Sequence, residues 1–155
     1  MKLKIRKATV KDLDIVAELF LKQLRELKKF EPSLKVGTKK DAKKAVRGSG
    51  KRTRYFVILV AEANGEIVGF VNGMTYRHSI RNKREGFVNN TYVLPEYRRK
   101  GIATKLLTSI IKKFKMRNLT MCTLDAYVKN KKAISLWKKI GFKEDLSSYD
   151  SEIVK

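Results

Sequence analysis

Cysteine and histidine are almost absent from this chain. A single cysteine, Cys122, cannot form an intramolecular disulfide or a cysteine-rich zinc site, and a single histidine, His78, excludes a multi-histidine metal centre. No metal is expected. Long apolar runs are missing too. The longest, Tyr55 to Ala61, falls far short of the ~20 residues that span a bilayer. The opening stretch Met1-Lys2-Leu3-Lys4-Ile5-Arg6-Lys7 lacks the apolar segment of a secretory signal. These absences point to a soluble, cytoplasmic protein with no membrane partner. Carboxylates are the remaining scarcity: 15 Asp and Glu against 37 Lys and Arg give a net charge of +22. The excess is not a tail, because residues 1–50 carry 15 basic and 6 acidic side chains, residues 51–100 carry 10 and 4, and residues 101–155 carry 12 and 5.

What is present suffices for one domain covering residues 1–155. A chain of this length buries roughly 68–70% of the surface its unfolded form exposes, so no covalent staple is needed. Residues 2–8 read as a first strand. Thr9 caps a helix over about 10–29, with Asp12 three residues on in the style of a capping box and Leu13, Val16, Ala17, Phe20, Leu24 and Leu27 at helical spacing. Pro32 ends it, and Thr38 caps a short helix over 38–47. Tyr55 to Ala63 is a β-branched and aromatic run of the kind buried on both faces, and Asn64-Gly65 signals a tight hairpin into a partner strand, Glu66 to Tyr76. Gly86 to Leu94 is a strand stopped by Pro95. A helix follows with the stripe Ile102, Leu106, Leu107, Ile110, Ile111 and Phe114; then come a strand from Leu119 to Val128 and a helix over 131–139 capped by Asn130 and ended by Gly141. Phe142 onward and residues 149–154 give two last strands. The order is βαα-βββ-αβ-αββ.

The passage from strand to helix around residue 100 is suited to anions. The first N–H groups of a helix have no partner within it, the helix dipole adds positive potential, and small residues such as Gly101 and Ala103 allow a phosphate to approach the backbone. The stretch from Tyr92 to Leu107, with Val93-Leu94-Pro95-Glu96-Tyr97 leading into Arg98-Arg99-Lys100-Gly101-Ile102-Ala103, resembles the acetyl-coenzyme A motif of the GNAT family of N-acetyltransferases, V-x-P-x-Y followed by Q/R-x-x-G-x-G/A. Some 30 residues on, Asn130 to Phe142 resembles the family's second signature, N-x-x-A-x-x-L-Y-x-x-x-G-F. The strand–helix order matches the family as well, so the resemblance covers nearly the whole chain.

The resemblance implies a mixed α/β fold: a single, mostly antiparallel sheet of six to seven strands, splayed at the cofactor cleft, with about four helices on its faces. It implies acetyl-CoA as donor and coenzyme A as product. The pyrophosphate would rest on the backbone from Arg99 through Lys100, Gly101, Ile102 and Ala103 to Thr104, with Arg98, Arg99 and Lys100 adding charge. The pantetheine arm would pair like an extra strand with the edge of residues 91–93, with Tyr92, Val93 and Leu94 as contacts. Asn130 would hydrogen-bond it on its other side, Trp137 would lie near the sulfur, and the Val93 N–H would stabilise the oxyanion during direct attack by the amine.

Two positions depart from the family. Trp137 stands where many relatives have a tyrosine that protonates the leaving thiolate, and an indole N–H only donates hydrogen bonds. Asn89-Asn90-Thr91 stands where many carry a carboxylate that serves as base. Tyr127 and Asp125, alternating with Leu124 and Ala126 on the expected strand, are the substitute acid and base, with Tyr76 a weaker candidate; Cys122 reads as core. A site poor in carboxylates suits an acceptor that is partly neutral already. An α-amine (pKa ~7.7–8.0) meets that condition better than a lysine (~10.4), so a peptide or protein N-terminus or another small amine is expected. The +22 surface also attracts polyanions, with Gly48–Arg54 and Arg77–Arg84 as contact loops for non-specific nucleic acid. The alternative function is therefore a GNAT-like module that docks on nucleic acid or ribosomes with little or no acetyl transfer. The chain is compatible with a monomer or a homodimer.

Overall fold

The computed structural model describes residues 1–47 and 55–144. Strand β1 (Leu3–Lys7) leads through a 3-10 turn (Val10–Asp12) into α1 (Leu13–Leu27) and then α2 (Lys39–Arg47). Three strands follow, β2 (Phe56–Ala63), β3 (Glu66–Arg77) and β4 (Arg84–Val93), then α3 (Ile102–Lys115), β5 (Cys122–Leu124) and α4 (Lys131–Ile140). The strands form one sheet in the order β1-β2-β3-β4-β5. The first three pairings are antiparallel and β4–β5 is parallel. Parallel neighbours need a crossover, and α3 supplies it.

Local chemistry fixes the early elements as expected. Thr9 donates to Asp12 Oδ2 through both its N–H (2.6 Å) and its hydroxyl (2.8 Å), and Thr38 repeats the arrangement with Asp41. Asn64 and Gly65 both have positive φ, 51° and 90°, as a two-residue turn with the twist of the flanking strands requires. The β2 run is buried on both sides because alternate residues serve different layers. Leu59 and Ala61 pack with Val71, Val93 and the α3 stripe Ile102, Leu106, Leu107, Ile110 and Phe114. Val60 packs with Phe70 and Tyr92 against Val16 and Leu19 of α1 and Val46 of α2. The sheet therefore has an α1–α2 face and an α3–α4 face.

β4 contains a bulge. Asn72 pairs with Asn90 but Gly73 pairs with Val88, so Asn89 is an extra residue. Its effect shows in the hydrogen bonds. Gly86 N–H reaches Met121 O on the β5 side (3.0 Å), whereas Leu94 N–H reaches Val68 O on the β3 side (2.9 Å). In an unbroken strand, residues an even number apart point their N–H groups the same way, so the bulge has reversed the alternation.

The sheet has five strands among the described residues, fewer than the six to seven expected. Phe142 to Glu144 form no strand, and the strand expected over 149–154 lies outside the described residues, as does the Gly48–Arg54 loop. β5 is three residues long rather than the ten from Leu119 to Val128. Leu119 is buried and its N–H closes the end of α3 on Phe114 O (3.2 Å), while Asp125 to Lys129 are exposed. The alternation of polar and apolar residues there does not correspond to alternating burial. No helix of the described residues is long and apolar enough to cross a membrane.

Candidate active site

The β4–β5 ladder pairs only Gly86–Val88 with Cys122–Leu124. Beyond it β4 runs on to Val93, and among the described residues no strand covers that edge. Leu94 N–H, and by alternation Tyr92 N–H, face β3; the Val93 N–H therefore faces the uncovered edge. The sheet is splayed where the cleft was expected.

The turn that follows leads directly to α3. Arg99 and Gly101 both take left-handed backbone, with φ 61° and 76°. Gly101 is the N-cap and supplies no side-chain cap. The first helical hydrogen bond runs from Lys105 N–H to Gly101 O (3.0 Å), so the N–H groups of Gly101 to Thr104 have no acceptor within the helix. A Cβ built on Gly101 would meet nothing within 4 Å, so the space in front of this helix end is open.

Two buried polar atoms on the α3–α4 face have no hydrogen-bond partner. Thr91 Oγ1 is one; Thr91 lies two residues before Val93, on the α3–α4 face. The other is Trp137 Nε1, and Trp137 packs at the margin of the core cluster on that face. An orphaned buried donor or acceptor costs ~1–3 kcal/mol, so a ligand that supplies partners is favoured there. An uncapped helix end for phosphates, an unpaired strand edge for an amide-bearing arm and orphaned polar atoms on the same face of the sheet fit acetyl-CoA.

The sequence pattern of the Acetyltransferase (GNAT) family matches residues 17–142. The chain belongs to the GNAT family of N-acetyltransferases. It is 33% identical over 142 residues to an uncharacterised N-acetyltransferase of Bacillus subtilis, covering 91% of this chain and 90% of that protein. It is 38% identical over 92 residues to an N-alpha-acetyltransferase of Sulfurisphaera tokodaii, covering 55% of each chain. A crystal structure of a predicted acetyltransferase from Clostridium acetobutylicum with acetyl-CoA shares the fold, with a TM-score of 0.77 at 22% identity over 97% of this chain and 96% of that one.

Within this GNAT fold some of the expected site residues are already engaged by the protein itself, and others stand where the sequence put them. Arg98 is committed elsewhere: its Nε donates to Val93 O (2.8 Å), its Nη2 pairs with Glu26 (2.8 and 3.0 Å), and its guanidinium lies over the Tyr92 ring (5.2 Å). Tyr92 and Ile102 turn their side chains into the core, and the Leu94 N–H is used by β3. Asn130 caps α4 as expected, its Oδ1 accepting from Ala133 N–H (3.3 Å). Lys100 hydrogen-bonds Glu96 O (3.1 Å) and lies over Tyr97. Asp125 and Tyr127 do not share a strand face, since both lie past the end of β5. Asp125 is exposed, and the Tyr127 ring stacks on Phe30 just beyond α1 (6.2 Å). Tyr76 hydroxyl touches Glu85 and Thr123, each at 3.3 Å. Burial pushes the Cys122 thiol up to about 11, in keeping with a core residue.

Two carboxylates escaped the sequence reading. Glu26 accepts from Tyr92 Oη (2.9 Å) as well as from Arg98. Burial works against its ionisation, but the hydrogen bonds from Arg98 and Tyr92 outweigh that and hold the carboxyl below its usual range. The Tyr92 phenol is pushed up to about 12 by burial and by the Glu26 carboxylate. A faint signal existed, because Glu26 lies seven residues after Leu19, two turns along the buried face of α1. Glu85 is buried on β4 and held ionised by Arg81, which meets it with two hydrogen bonds (2.6 and 2.9 Å). The loop expected to touch nucleic acid is correspondingly occupied: Arg81 binds Glu85, Arg77 donates to Asn82 (2.8 Å), and Arg84 lies over Tyr55.

Proposed function

We propose that this chain, working as one domain over residues 1–155, transfers the acetyl group of acetyl-CoA to the α-amine of a peptide or protein. The observation that carries the reading is the uncapped, open N-terminus of α3 set immediately after an uncovered β4 edge that ends at Val93. The N–H groups of Gly101 to Thr104 would hold the pyrophosphate, with Arg99 and Lys100 adding charge. Thr91 hydroxyl and Trp137 indole N–H would find partners on the bound cofactor, and the Asn130 amide lies at the start of the same helix as Trp137. Acetyl-CoA supplies an acetyl group activated as a thioester.

The chain's own contribution is positional and electrostatic. Val93 N–H, fixed in a rigid strand, is the donor aimed at the developing oxyanion. Arg98 occupies the Val93 carbonyl, which leaves the N–H as the free polar group of that residue on the edge. Tyr127, stacked on Phe30 just beyond α1, is the candidate proton donor and Asp125 the candidate base, although neither is held by a strand. A thiolate leaving group, with a pKa near ~8.5, tolerates a weak acid or none.

The α-amine acceptor is supported by the absence of a carboxylate from Asn89 to Thr91, and by the archaeal relative whose stated activity is N-alpha-acetylation. The test is coenzyme A release with three acceptors: a peptide with a free N-terminus, the same peptide N-blocked but carrying a lysine, and a polyamine. Release is expected with the first alone. Preference for either of the others refutes the acceptor, and no release combined with no acetyl-CoA binding refutes the reading as a whole.

A further inference from the structure

The net charge of +22 is unevenly neutralised, and the sheet separates the two cases. On the α1–α2 side, Asp12, Asp14, Glu18 and Glu26 are all engaged by Arg or Lys. From Arg98 to Lys143, the stretch that builds the α3–α4 side, there are 14 basic residues and one acidic residue, Asp125. All 14 are solvent-exposed. Among the described residues only Arg98 of that set forms an ion pair, and its partner is on α1. Counting the sequence through to residue 155 leaves 15 basic against 5 acidic residues, so the excess persists.

Phosphate groups of acetyl-CoA account for cations at the start of α3. They do not account for Lys112, Lys113 and Lys115 at its far end, nor for Lys138, Lys139 and Lys143 at the end of α4 and just beyond. Helix stability does not explain the whole pattern either. Lysines suit helix C-termini, but Lys131 and Lys132 occupy the first turn of α4, where the helix dipole favours carboxylates and none is present.

We propose that the solvent face of α3 and α4 is a docking surface for the phosphate backbone of a nucleic-acid double helix, bound without regard to sequence. The 14 residues of α3 extend for about 21 Å, and a duplex presents a charge every ~1.7 Å, so about 12 phosphates lie alongside. A duplex fits better than a single strand, because α3 and α4 expose no large aromatic side chain on which a splayed base would stack. It fits better than an acidic protein, because the same two helices expose no large apolar anchor of the kind that carries protein interfaces.

The experiment uses the full chain and a fluorescein-labelled DNA duplex of about 20 base pairs, followed by anisotropy from ~50 to ~200 mM salt. Binding is expected at low salt with a steep salt slope. Changing Lys112, Lys113, Lys115, Lys138 and Lys139 to Gln should make the slope shallower by up to ~4–5, at ~0.9 for each phosphate no longer neutralised, and should weaken binding at the lowest salt by ~10²-fold or more. A control set, Lys11, Lys22, Lys28, Lys40 and Lys44 to Gln, removes the same charge from the other side and should cost less than ~10-fold. Acetyl-CoA affinity should be unchanged in both sets, which establishes that they fold and separates this proposal from the acetyl-transfer reading. Equal losses in the two sets overturn the surface in favour of bulk charge, and absence of binding at low salt overturns it outright. Equal displacement by polyglutamate at matched charge overturns the nucleic-acid assignment, and equal affinity for a single strand overturns the duplex.

Discussion

Gly101 offers a way to separate a cofactor contact from a folding requirement. Its φ of 76° lies where an L-residue pays roughly 1–2 kcal/mol in backbone strain. A Cβ there meets nothing within 4 Å, so Gly101→Ala adds no clash to the free protein. Gly65, at φ 90° in the β2–β3 hairpin and also with nothing within 4 Å, provides a matched control away from α3. Both alanine variants should lose ~1–2 kcal/mol, or ~2–4 °C of Tm per kcal/mol for a domain of this size. Their ligand responses should differ. Acetyl-CoA at a hundredfold excess over Kd stabilises a folded protein by ~2.7 kcal/mol, and Gly65→Ala should keep that gain. Gly101→Ala places a methyl group in the path of the pyrophosphate and should lose at least ~10-fold in affinity, close to ~1.4 kcal/mol. Gly101→Glu, which adds a like charge, should abolish binding. Gly101→Asn tolerates left-handed backbone and should recover stability without recovering affinity. Calorimetric titration and thermal melts with and without acetyl-CoA read every arm. Should Gly101→Ala melt like Gly65→Ala yet bind acetyl-CoA normally, the phosphate does not rest on this turn.

Trp137→Phe removes an orphaned buried donor, so its lost packing is partly offset and free-protein stability should stay within ~1 kcal/mol, while acetyl-CoA binding weakens; unchanged binding in calorimetry would put the indole outside the ligand site. Glu26→Gln breaks a half-exposed pair with Arg98 and should cost ~1 kcal/mol or less; in a spectrophotometric titration the Tyr92 phenol should fall below its value of about 12 without reaching an exposed tyrosine, because burial persists. Glu85 has its pKa held low in the folded state, so its contribution is present at neutral pH and is lost as pH falls through that depressed value. Glu85→Gln should cost ~2–3 kcal/mol at pH 7, less than a fully buried pair because Arg81 stays partly exposed, and should remove part of the acid limb of the stability profile; an unchanged limb refutes the assignment.

The elements governed by neighbouring residues were readable from the sequence. The Thr9–Asp12 pair, the Thr38 cap, the Asn64-Gly65 turn, the stripe of α3 and the glycine after α4 each depend on residues a few positions apart, and each forms as expected. Features set by distant partners were not readable. Asp125 to Val128 have the alternation of a strand, but a strand also needs an edge to pair with, and β4 has already diverged. Arg98 belongs to the cofactor motif by position, yet its guanidinium is held by a glutamate 72 residues away. The bulge at Asn89 leaves no mark in composition, since it is defined only by the register with Asn72 and Gly73.

That bulge decides how the site can operate. Without it Val93 N–H would point toward β3 and be used in the sheet, and the uncovered edge would end on a different peptide. With it, the last N–H of β4 that faces the gap belongs to Val93, and Arg98 then takes the carbonyl of the same residue. Arg98 is therefore better placed to fix this edge than to neutralise phosphate, a task left to the uncapped α3 backbone, Arg99 and Lys100. Because the other end of its guanidinium is held by Glu26 and covered by Tyr92, the edge is tied to α1 on the opposite face of the sheet. The proposed oxyanion donor is thus braced from both faces: by the packing of Val93 against α3, and by a charged link to α1, the helix followed by the turn whose Phe30 stacks on Tyr127.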